Sequence, residues 1–82
     1  MDFGTAITAM RNGARVQRAG WNGKGMWLTM AVGGTANVLD AGAHHLVELL
    51  PFIVMRTATG EFVPWLASQT DMLALDWSTV RA

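Results

Sequence analysis

Two short runs of alternating residues, 14–19 and 26–32, flank Gly20-Trp21-Asn22-Gly23-Lys24-Gly25. Alternation at period two gives a strand one buried face, and Asn-Gly accepts the positive φ that a tight hairpin turn needs. Val16 and Arg18 share one face of the first run. Met26, Leu28, Met30 and Val32 line one face of the second, with Trp27, Thr29 and Ala31 on the other. This pattern commits the chain to an antiparallel sheet. A second hairpin signal follows, Phe52–Thr57 and Glu61–Leu66 around Ala58-Thr59-Gly60. Pro64 has no N–H for a ladder, so its strand belongs at an edge or a bulge.

Helical spacing occurs at the start of the chain. Phe3, Ala6, Ile7 and Met10 fall on one face of a helix over 3–12, with Asp2 to cap it and Gly13 to stop it. Ser68 caps a short helix, Gln69–Leu75, with Asp71 placed as in a capping box. Trp77–Val80 reads as a last short strand. Residues 33–50 admit two readings: a helix capped by Asp40 through Leu46, Leu49 and Leu50, or a short strand plus loop. The fold class is α+β. A single domain over 1–82 packs an N-terminal helix on a twisted antiparallel sheet of four to five strands, with a short C-terminal helix.

One helix covers one face of such a sheet, and the composition says what covers the other. Hydrophobic residues make up 51% of 82, including six Met and four Trp. A chain this short has little interior in which to hide them, so part is expected to be buried against other copies. Net charge is zero, which argues against a nucleic-acid polymer as partner, since duplex binders carry a basic excess. Cysteine is absent, so thiolate chemistry and disulfides are excluded. No apolar stretch approaches the roughly 20 residues of a membrane span, and no leader pattern opens the chain. A cytoplasmic protein without a membrane partner is expected.

Enzyme templates find no support. His44 and His45 are adjacent and diverge on either a strand or a helix, so no metal site is expected. Ser68, Asp71 and His45 form a trio only by selection. Asp71 and Asp76, five apart, are out of register as paired carboxylates on a helix. The glycines at 20–25 lack a phosphate-loop pattern. No catalytic residue, metal or cofactor is assigned.

The tryptophans say more. Trp21 adjoins Asn22, and Trp65 precedes Ser68, Gln69, Thr70 and Asp71. A flat apolar plate bordered by amide, hydroxyl and carboxylate groups suits a purine nucleotide, and stacking contributes about 1–3 kcal/mol per base. Arg18, Lys24 and Arg56 are the cations available for a pyrophosphate. Trp27 and Trp77 are expected to pack in the core or between subunits.

Arg18-Ala19-Gly20-Trp21-Asn22-Gly23-Lys24-Gly25-Met26, Pro51–Gly60 (PFIVMRTATG) and Pro64–Ala74 (PWLASQTDMLA) with Asp76-Trp77 resemble the Thoeris anti-defence protein two family of small bacteriophage proteins. The resemblance spans nearly the whole chain except about residues 33–50, and departs from the family pattern at Leu75. It implies a homotetramer with pockets between protomers, acting in the cytoplasm of the infected host. Such a protein binds glycocyclic ADP-ribose, the Thoeris immune signal, and sequesters it uncleaved. Separate sites for cyclic dinucleotides or trinucleotides occur in some members.

The two motifs then assign the site. Trp21 stacks on a base, Asn22 reads a ring edge or ribose, and Arg18 or Lys24 meets phosphate. Gln69, Thr70 and Asp71 form a polar wall, with Asp71 toward ribose hydroxyls. Trp65 is either the opposing plate or a core residue. Two other classes stay open: a nucleotide-processing enzyme, and a structural oligomer without a ligand.

Overall fold

The computed structural model describes residues 1–21 and 25–80. Helix α1 (Phe3–Arg11) opens the chain, with the Asp2 carboxylate accepting from the Thr5 N–H at 2.8 Å. Gly13 ends it at φ +90°, a conformation glycine adopts without a Cβ penalty. Strands β1 (Arg15–Arg18) and β2 (Trp27–Ala31) are antiparallel with Val16 opposite Leu28. The first hairpin is therefore present. Asn22, Gly23 and Lys24 of its expected turn lie outside the described residues.

Next come β3 (Gly34–Asp40), β4 (Ala43–Leu49), β5 (Phe52–Arg56) and β6 (Phe62–Pro64). The chain closes with helix α2 (Gln69–Leu73) and strand β7 (Trp77–Val80). Five strands form one antiparallel sheet in the order β6-β5-β2-β1-β7. Pro64 thus sits on an edge strand, where its missing N–H costs no ladder bond. At the opposite edge, Met1 runs beside β7: Trp77 N–H donates to the Met1 carbonyl at 3.1 Å. The Met1 ammonium donates to the Trp77 carbonyl at 2.7 Å.

The sheet face carrying Val16, Leu28 and Trp77 packs under α1. With Ala6 and Met10 these residues form the buried core, flanked by Met30, Ile53 and Met55. The expected alternation holds for Leu28 and Met30. It fails at Val32, which lies one residue past the end of β2 and is exposed.

Residues 33–50 contain no helix. β3 and β4 pair with each other from Gly34–Leu49 to Asp40–Ala43 as a separate two-stranded sheet. The turn is two residues, Ala41 at φ +50° and Gly42 at φ +81°, both in the left-handed region of a type I′ hairpin. Gly33, at φ +104°, marks the base of this arm, and a Cβ there would lie 2.8 Å from the Leu49 carbonyl oxygen. The Leu46, Leu49 and Leu50 spacing that suggests a helix belongs to a strand and its exit. His44 and His45 point to opposite faces of β4, both exposed.

Helix α2 begins as expected and ends early, at Leu73 rather than Leu75. Ser68 Oγ accepts from the Asp71 N–H at 3.1 Å, and the Asp71 carboxylate accepts from the Ser68 N–H at 3.4 Å, completing a capping box. No helix is long and apolar enough to cross a membrane, among the described residues.

Candidate functional site

Register brings the two sequence motifs together. Arg18 of β1 lies directly opposite Trp77 of β7, so the start of the first motif meets the end of the second on one face of the sheet. Trp77 is 2% exposed and is the centre of an aromatic cluster. Trp21 sets its ring against Trp77 at 5.6 Å between centroids, nearly perpendicular at 82°. Trp65 does the same from another side, at 6.0 Å and 86°. Phe3 of α1 completes the group at 5.2 Å from Trp77 and 6.0 Å from Trp65. Edge-on geometry matches the positive ring edge of one indole to the negative face of another. Trp21 and Trp65 are half-buried, each bracing Trp77 while keeping part of its surface open.

The indole N–H of Trp77 donates to the Asp71 carbonyl at 3.0 Å, tying the cluster to the short helix that carries the polar residues. Gln69 and Thr70 in the first turn of that helix are exposed. Asp71 faces inward. Its Oδ1 accepts from Arg18 Nη1 at 2.9 Å, and its Oδ2 accepts from Ser68 Oγ at 2.8 Å. Arg18 also donates through Nε to Asp76 Oδ1 at 3.0 Å. The guanidinium thus joins β1, α2 and the start of β7.

Electrostatics follow from these contacts. Partial burial pushes the Asp71 carboxyl up, but hydrogen bonds from Arg18 and Ser68 outweigh it and hold the group below the ordinary carboxylate range. The hydrogen bond from Arg18 also holds Asp76 below that range, against some desolvation. Arg18 is held more firmly protonated, first by Asp76 and then by Asp71.

Four of the eight residues the motifs assign therefore meet in one neighbourhood: Arg18, Trp21, Trp65 and Asp71. Gln69 and Thr70 lie on its rim. Asn22 and Lys24 lie outside the described residues. Arg56 is distant in role: its Nη1 donates to the Gly25 carbonyl at 2.7 Å and to the Thr57 carbonyl at 3.4 Å, holding two turns. Asp76 belongs to the site although its sequence spacing from Asp71 argues against a pair. That spacing argument assumes a continuous helix, and α2 ends before Asp76. One guanidinium reaches both carboxylates because Asp76 is on the returning chain.

The arrangement offers half-buried indoles near the exposed amide and hydroxyl groups of α2 and the exposed Leu66, Met72, Leu73 and Leu75. Among the described residues, the single chain encloses no pocket. A flat ligand would be gripped here only if a second surface closed over these residues.

Comparison with known proteins agrees with this arrangement of motifs. A Thoeris anti-defense 2-like domain matches residues 1–80. The chain is 36% identical over 84 residues to Thoeris anti-defense 2 of Bacillus phage SP01, covering 98% of this chain and 94% of that protein. The chain belongs to the Thoeris anti-defense 2-like family.

Proposed function

We propose that this protein is a phage anti-defence sponge that binds glycocyclic ADP-ribose and holds it uncleaved, so that the Thoeris effector is not activated. The observation that carries the reading is the convergence on Trp77. Trp21 and Trp65 stand nearly perpendicular to it and are only half-buried, with Gln69 and Thr70 of α2 exposed. Trp21 is the base-stacking plate, and Trp65, braced like it on Trp77, contributes a second aromatic wall. Gln69 and Thr70 read polar edges of the ligand.

The three-group cluster of Arg18, Asp71 and Asp76 carries one net negative charge, which is unfavourable for direct contact with a pyrophosphate. In this reading Arg18 and Asp71 position the wall, and Lys24 with Asn22 supplies the contacts to phosphate and ring. The function is retention rather than turnover. Competing with an effector receptor requires nanomolar affinity, about −12 kcal/mol. Dinucleotide-sized ligands are held by burying most of their surface, about 70–90%. The exposed apolar residues around α2 support a pocket completed by a second protomer, in a homotetramer.

Calorimetric titration with glycocyclic ADP-ribose, and linear ADP-ribose as control, tests the proposal. Tight saturable binding of the cyclic form, recovered intact after heat denaturation, is the expected result. Trp21→Ala should abolish binding and leave the assembly in place. Time-dependent loss of the ligand at substoichiometric protein would replace the sponge by an enzyme. Absence of binding together with a strongly lowered melting temperature in Trp21→Ala would favour a structural oligomer.

A further inference from the structure

Of the three motifs, Pro51–Gly60 is the one the proposed site does not use, yet its Arg56 reaches the segment that carries Trp21. Arg56 ends β5, opposite Trp27 of β2 on one side and Phe62 of β6 on the other. Its Nη1 donates to the Gly25 carbonyl at 2.7 Å, the short distance typical of a charged donor. Two glycines make room for the guanidinium. Gly25 has φ +80°, and a Cβ there would stand 2.9 Å from Nη1. Gly60 has φ +95°, and its Cβ would stand 3.7 Å from Nη2. Among the described residues Arg56 forms no ion pair, so its hydrogen bonds go to backbone carbonyls.

The β5–β6 turn closes by its own bonds. Thr57 N–H donates to the Glu61 carbonyl at 2.8 Å, and Gly60 N–H to the Thr57 carbonyl at 3.0 Å. Thr57 Oγ1 donates to Glu61 Oε1 at 2.8 Å. The turn is thus a fixed base from which Arg56 extends. The segment after β1 is fastened at its start in another way. Ala19 N–H donates to the Asp76 carbonyl at 3.2 Å, and Trp21 N–H to the Arg18 carbonyl at 3.3 Å. Gly25 follows Trp21 by four residues, just before β2. Four residues span at most about 14 Å, so a shift of Gly25 is passed on to Trp21.

We propose that Arg56 is a positioning residue of the aromatic site: by binding the Gly25 carbonyl it fixes the far end of the segment that presents Trp21. Its effect on binding rests on the proposed function, whereas its effect on the segment does not. Arg56 acts through Gly25 and contacts no ligand. A stacking plate held in place before the ligand arrives lowers the ordering cost of binding.

The test uses one variant on each side of the contact, Arg56→Met and Gly25→Ala. The first keeps the stem and loses the donor. The second keeps the cation and pushes it off the carbonyl. Backbone nitrogen-15 relaxation of the full chain without ligand is the first readout. Trp21 and Gly25 are expected to be rigid in wild type, with order parameters of about 0.85. Each variant should lower both values and leave Val16 and Leu28 of the core unchanged. Titration with glycocyclic ADP-ribose is the second readout. Each variant should bind about tenfold more weakly, and the double variant no more weakly than either. Independent effects would instead multiply to about a hundredfold, and that result overturns the proposal. Weaker binding in Arg56→Met alone overturns it too, because the cation would then act on the ligand directly. Unchanged order parameters at Trp21 and Gly25 overturn it whatever the titration gives. Should one variant fail to fold, relaxation of the other still decides. Wild-type protein that binds no glycocyclic ADP-ribose removes the sponge reading, and the order parameters then decide whether Arg56 fixes the segment.

Discussion

Trp77 combines a core position with four polar or aromatic connections, and its neighbours Trp21 and Trp65 do not. It is fully buried, its indole donates to the Asp71 carbonyl, and three aromatic rings lean on it. Replacing it with alanine should cost about 3–5 kcal/mol, most of the stability of a small domain. Trp77→Phe keeps part of the packing but strands the Asp71 carbonyl, and should cost about 1–3 kcal/mol. Trp21→Ala removes a half-buried ring and should cost distinctly less than Trp77→Ala. Urea unfolding of the three variants checks the order. The sequence identifies Trp77 as packing and Trp21 as a site residue. It does not reveal that they touch, because the contact depends on Arg18 standing opposite Trp77 across a strand pair closed by nearly the whole chain. Asp76 goes unread for the same reason. Its partner is distant in sequence, and local spacing relates it only to Asp71.

The elements divide by whether their signal is local. The capping box of α2 is legible because Ser68 and Asp71 satisfy each other within one turn. Ser68→Ala should weaken this five-residue helix by about 1 kcal/mol, detected as a lower melting temperature and reduced stability in urea. The same variant should weaken ligand binding, since Gln69 and Thr70 are placed by that turn. The arm was not legible, and its residues explain why. An unpartnered hairpin has no continuously buried face, so residues 34–49 lack the apolar–polar alternation that reveals β2. Its turn is Ala41-Gly42, without the Asn-Gly signature, although Ala41 takes the left-handed conformation at φ +50°. Asparagine tolerates that conformation better than alanine does. Ala41→Asn should therefore stabilise the arm by up to about 1 kcal/mol, seen as a higher melting temperature. Gly33→Ala should act in the opposite direction, because its Cβ meets backbone at Leu49.

At the scale of the whole molecule, the apolar composition already implies more surface to bury than one chain can hide. The exposed leucines of the arm and of the α2 region are where that surplus lies. The polar counterpart is a set of carboxylates that fasten distant parts of the chain. Asp71 and Asp76 bind Arg18 across strands, Asp2 holds the first turn of α1, and Glu61 closes the β5–β6 turn. All four are held below the ordinary carboxylate range. In the unfolded chain these groups take up protons near pH 4, while the folded protein resists protonation to lower pH. The unfolded state thus binds more protons over that interval, and stability falls as the solution is acidified. Their contribution is fully present above about pH 5 and is lost as pH drops through the lowered folded values. Arg18→Gln removes the cation responsible for two of the four. Its melting temperature should lie below that of wild type near pH 7, fall less steeply below about pH 5, and approach the wild-type curve at the acid end. Thermal melts from pH 7 down to pH 2 decide the matter. Parallel curves would mean that Arg18 acts through the packing of its stem, whereas convergence assigns its effect to the two carboxylates that bind β1 to α2 and β7.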